Sequence, residues 1–238
     1  MQELELSPVW MRRHGAQAQD AAAPVPAHEA GMIDPVPADE RAAQIRAMDW
    51  KQLKVSVCAC SACPLHRTRK QAVLGVGDEQ ADWLFVGEGP GAEEDERGEP
   101  FVGQAGKLLD NMLAAIALQR GKNVYIANVV KCRPPGNRTP EPAEALACEP
   151  YLARQVELIQ PRLIVALGKV AAQNLLGVEA TLASLRGRLH QYRGIPLIVT
   201  YHPAYLLRSL AEKAKSWEDL CFAVETMQAL KQRQSVTS

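Results

Sequence analysis

The sequence predicts an α/β fold, a parallel four-stranded sheet flanked by helices on both faces. Two patterns carry that expectation. Short apolar runs recur along the chain, WLFVG at 83–87, VYIANVV at 124–130, LIVALG at 163–168 and PLIVTYHP at 196–203. Between them lie helical segments, so strand and helix alternate. The runs are continuously apolar rather than alternating, as strands covered on both faces require.

Taken in order, residues 1–40 read as a flexible extension. The stretch HGAQAQDAAAPVPAHEAGMIDPVPAD (14–39) is rich in Ala and Pro and poor in large apolar side chains. It cannot bury enough surface to offset its ordering entropy. The folded domain is expected over 41–238. One short helix, striped by Ala42, Ile45, Met48 and Leu53, leads to a cysteine-rich turn. From Gly106, the residues Leu108, Leu109, Met112, Leu113 and Ile116 mark an amphipathic helix. A helix over 141–159 can start at Pro142 and stop before Pro161. KVAAQNLLG follows the third strand, and a last helix is expected over about 217–230.

Bulk composition narrows the function. The 238 residues are 47% hydrophobic and 23% charged, with a net charge of zero. No global field draws such a chain to nucleic acid, so any polyanion site must be a local basic patch. Lys131, Arg133 and Arg138 are the expected patch. No apolar run approaches the ~18–20 residues that span a bilayer. The start MQELELSPVW lacks a signal-peptide pattern, so a cytoplasmic protein is expected. In a reducing compartment, clustered cysteines favour metal or chemistry over disulfides.

Three segments fall at the carboxyl ends of the strands, where ligands collect in open α/β sheets: GEGPGAEED, NVVKCRPPGNR and YHPAYLLR. GEGPG is neither a phosphate-cradling GK[ST] loop nor a dinucleotide GxGxxG, and alone it reads as a tight turn. The acidic run Glu93–Glu96 reads as a solvated face. Asn128 lies in an apolar strand, where an amide is costly unless partnered. It is either a satisfied core residue or an amide that reads a pyrimidine edge. His202 precedes Pro203, which fixes the backbone that aims the imidazole. Leu206, Leu207 and Arg208 either begin a helix or form an apolar wedge with a cation behind it.

Cys58, Cys60 and Cys63 lie within VCACSACPL; Cys132 and Cys148 follow later. Cys60 and Cys63 form C-x-x-C, and four thiolates can close a zinc site or hold a [4Fe–4S] cluster. Zinc ribbons bring a second C-x-x-C, which this chain lacks, so the balance tilts toward iron–sulfur. Buried free thiols are the plain alternative for Cys132 and Cys148.

The ordered set GEGPGAEED, PFVGQAGKLLD, NVVKCRPPGNRTP and HPAYLLR, with the four cysteines, resembles the iron–sulfur (family 4) uracil-DNA glycosylases over about residues 50–230. The resemblance implies that family's three-layer sandwich and hydrolysis of the bond joining uracil to deoxyribose, leaving an abasic site. It implies a [4Fe–4S] cluster on Cys60, Cys63, Cys132 and Cys148, with Cys58 left over; C-x-C would offer Cys58 as a rival ligand. It assigns Phe101 to stacking on the flipped base, Asn128 to its O4/N3 edge, and the Glu88–Gly89 backbone to the pocket wall. His202 would donate to O2, and Leu206, Leu207 and Arg208 would form the wedge. Glu94, Glu88 or Asn137 would orient the water. A related branch captures the sugar on a histidine of an inserted loop; this chain has no such loop, so turnover is expected. The implied substrate is uracil-containing DNA, bound by a monomer, with the N-terminal extension open to contact by a replication or repair protein. A non-catalytic DNA-binding module and an electron-transfer protein are the rivals. Both leave Asn128, Phe101 and His202 unexplained.

Overall fold

A computed structural model describes residues 38–237. The expected N-terminal extension, and the partner contact assigned to it, lie outside the described residues except for its last three positions. Those begin a helix, α1 (Ala38–Arg46), and a second, α2 (Trp50–Ala59), follows after a break. The single helix expected here is therefore two. Asp49 caps α2: its carboxylate accepts from the Gln52 N–H at 2.8 Å, and the Gln52 side chain accepts from the Asp49 N–H at 2.9 Å. This capping box starts the second helix.

The sheet has six strands rather than four. β1 (Val76–Gly77), β2 (Trp83–Gly87), β3 (Val124–Asn128), β4 (Leu163–Leu167), β5 (His190–Tyr192) and β6 (Ile195–Thr200) lie in the order β1-β3-β2-β4-β6-β5. The four expected strands, β3-β2-β4-β6, form the parallel core, while β1 and β5 add antiparallel edges. Leu84 and Val86 face one core layer with Ala127, Ile164 and Val199. Phe85 faces the other with Ile126, Val165 and Ile198. This is the period-2 alternation of a doubly covered sheet.

The crossovers are helical. After the short α3 (Ala92–Arg97), α4 (Gln104–Ala115) joins β2 to β3, α5 (Pro142–Ile159) joins β3 to β4, and α6 (Lys169–Leu176) follows β4. A one-turn α7 (Leu182–Leu185) precedes the β5–β6 hairpin, α8 (Pro203–Leu206) follows β6, and α9 (Glu212–Thr237) closes the chain. α9 starts five residues earlier than expected, and Ser216, Asp219, Leu220, Ala223 and Met227 form its buried stripe. From β2 the chain runs first to β3 on one side, then back past β2 to β4. That reversal opens a crevice at the carboxyl ends of the strands. No helix among the described residues is long and apolar enough to cross a membrane.

Candidate active site at the carboxyl ends of the strands

A cleft of about 480 Å³ opens where the loops after β2, β3 and β6 meet. Asn128, the last residue of β3, lines it. The side chain is 1% exposed, and its Oδ1 has no hydrogen-bond partner. A buried acceptor left unpaired costs about 1–3 kcal/mol, a penalty that a ligand N–H would remove. β2 ends beside it on Gly87, where a Cβ would lie 2.5 Å from Asn128 Oδ1 and 2.5 Å from the Phe101 ring. Only glycine leaves both groups in place.

Phe101 enters from the turn before α4, with a backbone φ of 56°. Its ring centroid lies 5.5 Å from that of His202, tilted by 31°. His202 leaves β6 as the N-cap of α8, and its Nδ1 accepts from the Ala204 N–H at 3.2 Å. With Nδ1 accepting, the proton of the neutral ring sits on Nε2. Burial pushes the imidazole down to about 4; the Arg208 charge adds to this and Glu94 opposes it. At neutral pH His202 is thus an uncharged donor.

Glu88 and Gly89 line the cleft after β2. There the Val129 N–H donates to Gly87 O at 2.9 Å and the Val130 N–H to Glu88 O at 3.2 Å, extending the pairing beyond β3. Burial raises the Glu88 carboxyl, and a hydrogen bond from Thr139 opposes the shift. Glu94 is committed to backbone: Oε2 accepts from the Gly91 N–H at 3.1 Å, and Oε1 from the N–H groups of Val102 and Gly103 at 2.9 and 3.1 Å. Asn137 lines the outer cleft, its amide oxygen accepting from Arg133 Nε at 2.7 Å.

Three sequence expectations change here. Leu206 is 1% exposed and packs with Met112, Tyr201 and Leu220, so it cannot enter a base stack. Of the expected wedge, Leu207, 42% exposed, and Arg208 are at the surface. Lys131 leaves the basic patch: it is 1% exposed, and its ammonium donates to Asn128 O at 2.7 Å and Gln155 Oε1 at 2.6 Å. Desolvation lowers it to about 8, against the raising influence of Cys148 and Cys132. Arg138 is held by Glu144 through two bonds of 2.8 and 2.7 Å. The acidic run is no simple solvated face either, because buried Asp95 accepts from the Lys70 N–H at 2.9 Å.

Cys60, Cys63, Cys132 and Cys148 line one small pocket on the other side of the loop after β3. Cys58 is exposed and does not line it; its carbonyl accepts from Arg69 at 2.6 Å. Arg69 also donates to Cys132 Sγ at 2.8 Å, Arg41 to Cys60 Sγ at 3.5 Å, and the Lys131 N–H to Cys148 Sγ at 3.3 Å. Burial pushes the Cys132 and Cys148 thiols up, Cys148 to about 12, while Arg69 and Lys131 respectively oppose the rise. Among the described residues, no group of three or more His, Cys, Asp or Glu side chains is arranged to hold a metal ion.

Comparison with known proteins decides the family. The model of the "Uracil DNA glycosylase superfamily" matches residues 74–221. The chain belongs to that superfamily. It is 45% identical over 181 residues to a type-4 uracil-DNA glycosylase of Pyrobaculum aerophilum, covering 73% of this chain and 92% of the relative. A type-4 uracil-DNA glycosylase of Archaeoglobus fulgidus is 48% identical over 159 residues, covering 63% of this chain and 79% of the relative. A type-5 uracil-DNA glycosylase of Thermus thermophilus is 29% identical over 195 residues, covering 65% and 87%. The chain is thus a member of the type-4 branch. Within this superfamily member, Arg41, Arg69 and Arg120 are functional candidates that the sequence did not single out. Their partners lie 9 to 106 residues away, and no local pattern marks them.

Proposed function

We propose that this protein excises uracil from DNA by hydrolysing the N-glycosidic bond, the first step of base excision repair. The unpartnered, buried Oδ1 of Asn128 carries the assignment at the level of the site. Uracil presents N3–H as a donor and O4 as an acceptor. Asn128 Oδ1 would accept from N3–H while its amide NH₂ donates to O4. Cytosine exchanges donor and acceptor along that edge and would leave the amide doubly mismatched.

The base must first leave the duplex, at a cost of roughly a few kcal/mol for unstacking, less at a U·G mismatch. Leu207, with Arg208 behind it, would fill the gap. Phe101 then stacks on the base, and the backbone of Glu88 and Gly89 walls the pocket. As the N1–C1′ bond breaks, both its electrons go to uracil and negative charge collects on O2. His202 Nε2–H donates to that oxygen from a neutral ring, a donor in place before the charge develops. Water adds to the cationic C1′, giving an abasic site and free uracil. Glu88, Glu94 and Asn137 all line the cleft and are the groups that would orient this water, Glu94 through the one acceptor site that its three backbone N–H partners leave.

The cysteine pocket supports a [4Fe–4S] cluster on Cys60, Cys63, Cys132 and Cys148. The donor set fits. Four soft sulfurs share one pocket, and N–H donors, two of them guanidinium groups, point at three of them. A cluster is wider than an ion and needs its ligands around a cavity rather than around a point. When bound it would supply cross-linking between α2, the loop after β3 and α5. Incubation with a uracil-containing oligonucleotide, then alkali, is the test. Strand breaks at the uracil position are expected, and their absence with iron-replete protein would sink the assignment.

A further inference from the structure

We propose that Arg120 is a positioning residue for the base-stacking ring of Phe101, acting with Glu94 as the two jaws of a backbone clamp. The inference rests on the proposed role of Phe101. The observation behind it is backbone strain: Phe101 sits at φ 56°, in the left-handed region that bulky side chains rarely adopt. Such a conformation is strained and persists only when its surroundings impose it.

Those surroundings hold both sides of the turn. Arg120 spreads its guanidinium over two successive carbonyls, NH1 donating to Pro100 O at 2.8 Å and NH2 to Phe101 O at 2.8 Å. Its Nε donates to Asp110 Oδ1 on α4 at 2.9 Å, which fixes the fork. Glu94 accepts the next two N–H groups, those of Val102 and Gly103. α4 closes the rear: a Cβ on Gly106 would lie 1.8 Å from Phe101 O, so glycine alone allows this approach. Carbonyls are held by a cation and N–H groups by an anion. The ring then stands 5.5 Å from His202 with little freedom to relax. Arg120 touches neither the cleft nor the base, so its influence passes through Phe101.

Two measurements on the full-length holoprotein test this independently. The first is a double-mutant cycle on uracil excision. Arg120→Ala should lower kcat/KM by about tenfold to a hundredfold, the scale of a small misplacement of a contact group. In a Phe101→Ala background the same change should lower it less than about twofold. Equal losses in both backgrounds, or a parental rate for Arg120→Ala, overturn the proposal. The second readout needs no activity. The chain has three phenylalanines, Phe85, Phe101 and Phe222, so fluorophenylalanine labelling gives three resonances. Arg120→Ala should shift or broaden the Phe101 signal, assigned by its loss in Phe101→Leu, and leave the other two in place. An unmoved Phe101 signal refutes the clamp whatever the enzyme's substrate. A moved signal in a protein that leaves uracil-DNA intact keeps the clamp and refutes the functional assignment. Should Arg120→Ala not fold, Arg120→Lys keeps the charge facing Asp110 but loses the two-carbonyl fork, and the same outcomes apply.

Discussion

The cleft at the strand ends and the cysteine pocket share one stretch of chain, residues 128–132, and are finished in opposite ways. Asn128 faces the cleft with its acceptor unpartnered. Four residues on, Cys132 faces the other pocket with Arg69 already donating to its sulfur at 2.8 Å. The cleft is roomy, strained at Phe101, and holds an imidazole pushed down to about 4. The cysteine pocket is small and ringed by cations. A site that turns substrate over must leave interactions for the ligand to complete, whereas a site that holds a permanent group can be satisfied in advance. Lys131 joins the two, with its N–H on Cys148 and its ammonium on the carbonyl of Asn128.

The sharpest break between the regions should appear in paired substitutions. His202→Ala should lower the excision rate by about a hundredfold to a thousandfold, the loss typical of one donor to a developing oxyanion. The visible absorbance of the proposed cluster should be untouched. Cys148→Ala should do the reverse, lowering iron content and thermal midpoint together. Cross-linking distant segments restricts the unfolded chain, worth about 2–5 kcal/mol in the comparable case of a disulfide. Iron retention by Cys148→Ala, or bleaching by His202→Ala, would show that the two sites are not separable in this way.

How much of this was visible beforehand depends on whether the signal was local. The four core strands are legible because a doubly covered strand must be continuously apolar, and Asn128 and His202 stand out against that background. The edges are not. β1 is two residues long, and β5, HQY, is half-exposed and polar. The break before α2 has a local mark, since Asp49 and Gln52 form an N-cap and its N3 partner. The burial of Lys131 is hidden for another reason. A lysine looks the same in sequence whether solvated or buried, and the partner that permits burial, Gln155, lies 24 positions away. Arg120 is remote from Phe101 in the same sense. Leu206 and Leu207 are neighbours of one type, and only the turn of α8 decides which faces the core.

Lys131 sharpens the comparison next. Lys131→Met should destabilise by about 2–4 kcal/mol, because Asn128 O and Gln155 Oε1 lose a buried donor. A phosphate-contacting lysine would instead flatten the salt dependence of DNA binding by about one unit of slope. An unchanged slope with a lowered thermal midpoint is expected, and the opposite pair would return Lys131 to the DNA surface. The next contrast lies within the expected wedge. Leu206→Ala should cost about 2–5 kcal/mol of stability as a core truncation. Leu207→Ala should stay within about 0.5 kcal/mol. Only Leu207→Ala should lose activity on duplex more than on single-stranded uracil.

The gentlest test is pH. His202 titrates near 6.5 in the unfolded chain and at about 4 in the folded protein. Above pH 6.5 both states hold a neutral ring and His202 contributes no pH dependence. Between 6.5 and about 4 the unfolded chain binds the proton and the folded protein does not, so stability falls as pH falls. Below about 4 both are protonated and the contribution levels off. His202→Gln, which keeps a neutral donor, should remove this part of the slope. Activity should follow the folded value rather than the unfolded one, because the donor proposed for catalysis is the neutral ring. A pH–rate profile of the parent protein with no limb near 6.5 is therefore expected. A limb there that disappears in His202→Gln would mean that the imidazole is solvated, and that the cleft does not hold its donor uncharged in advance.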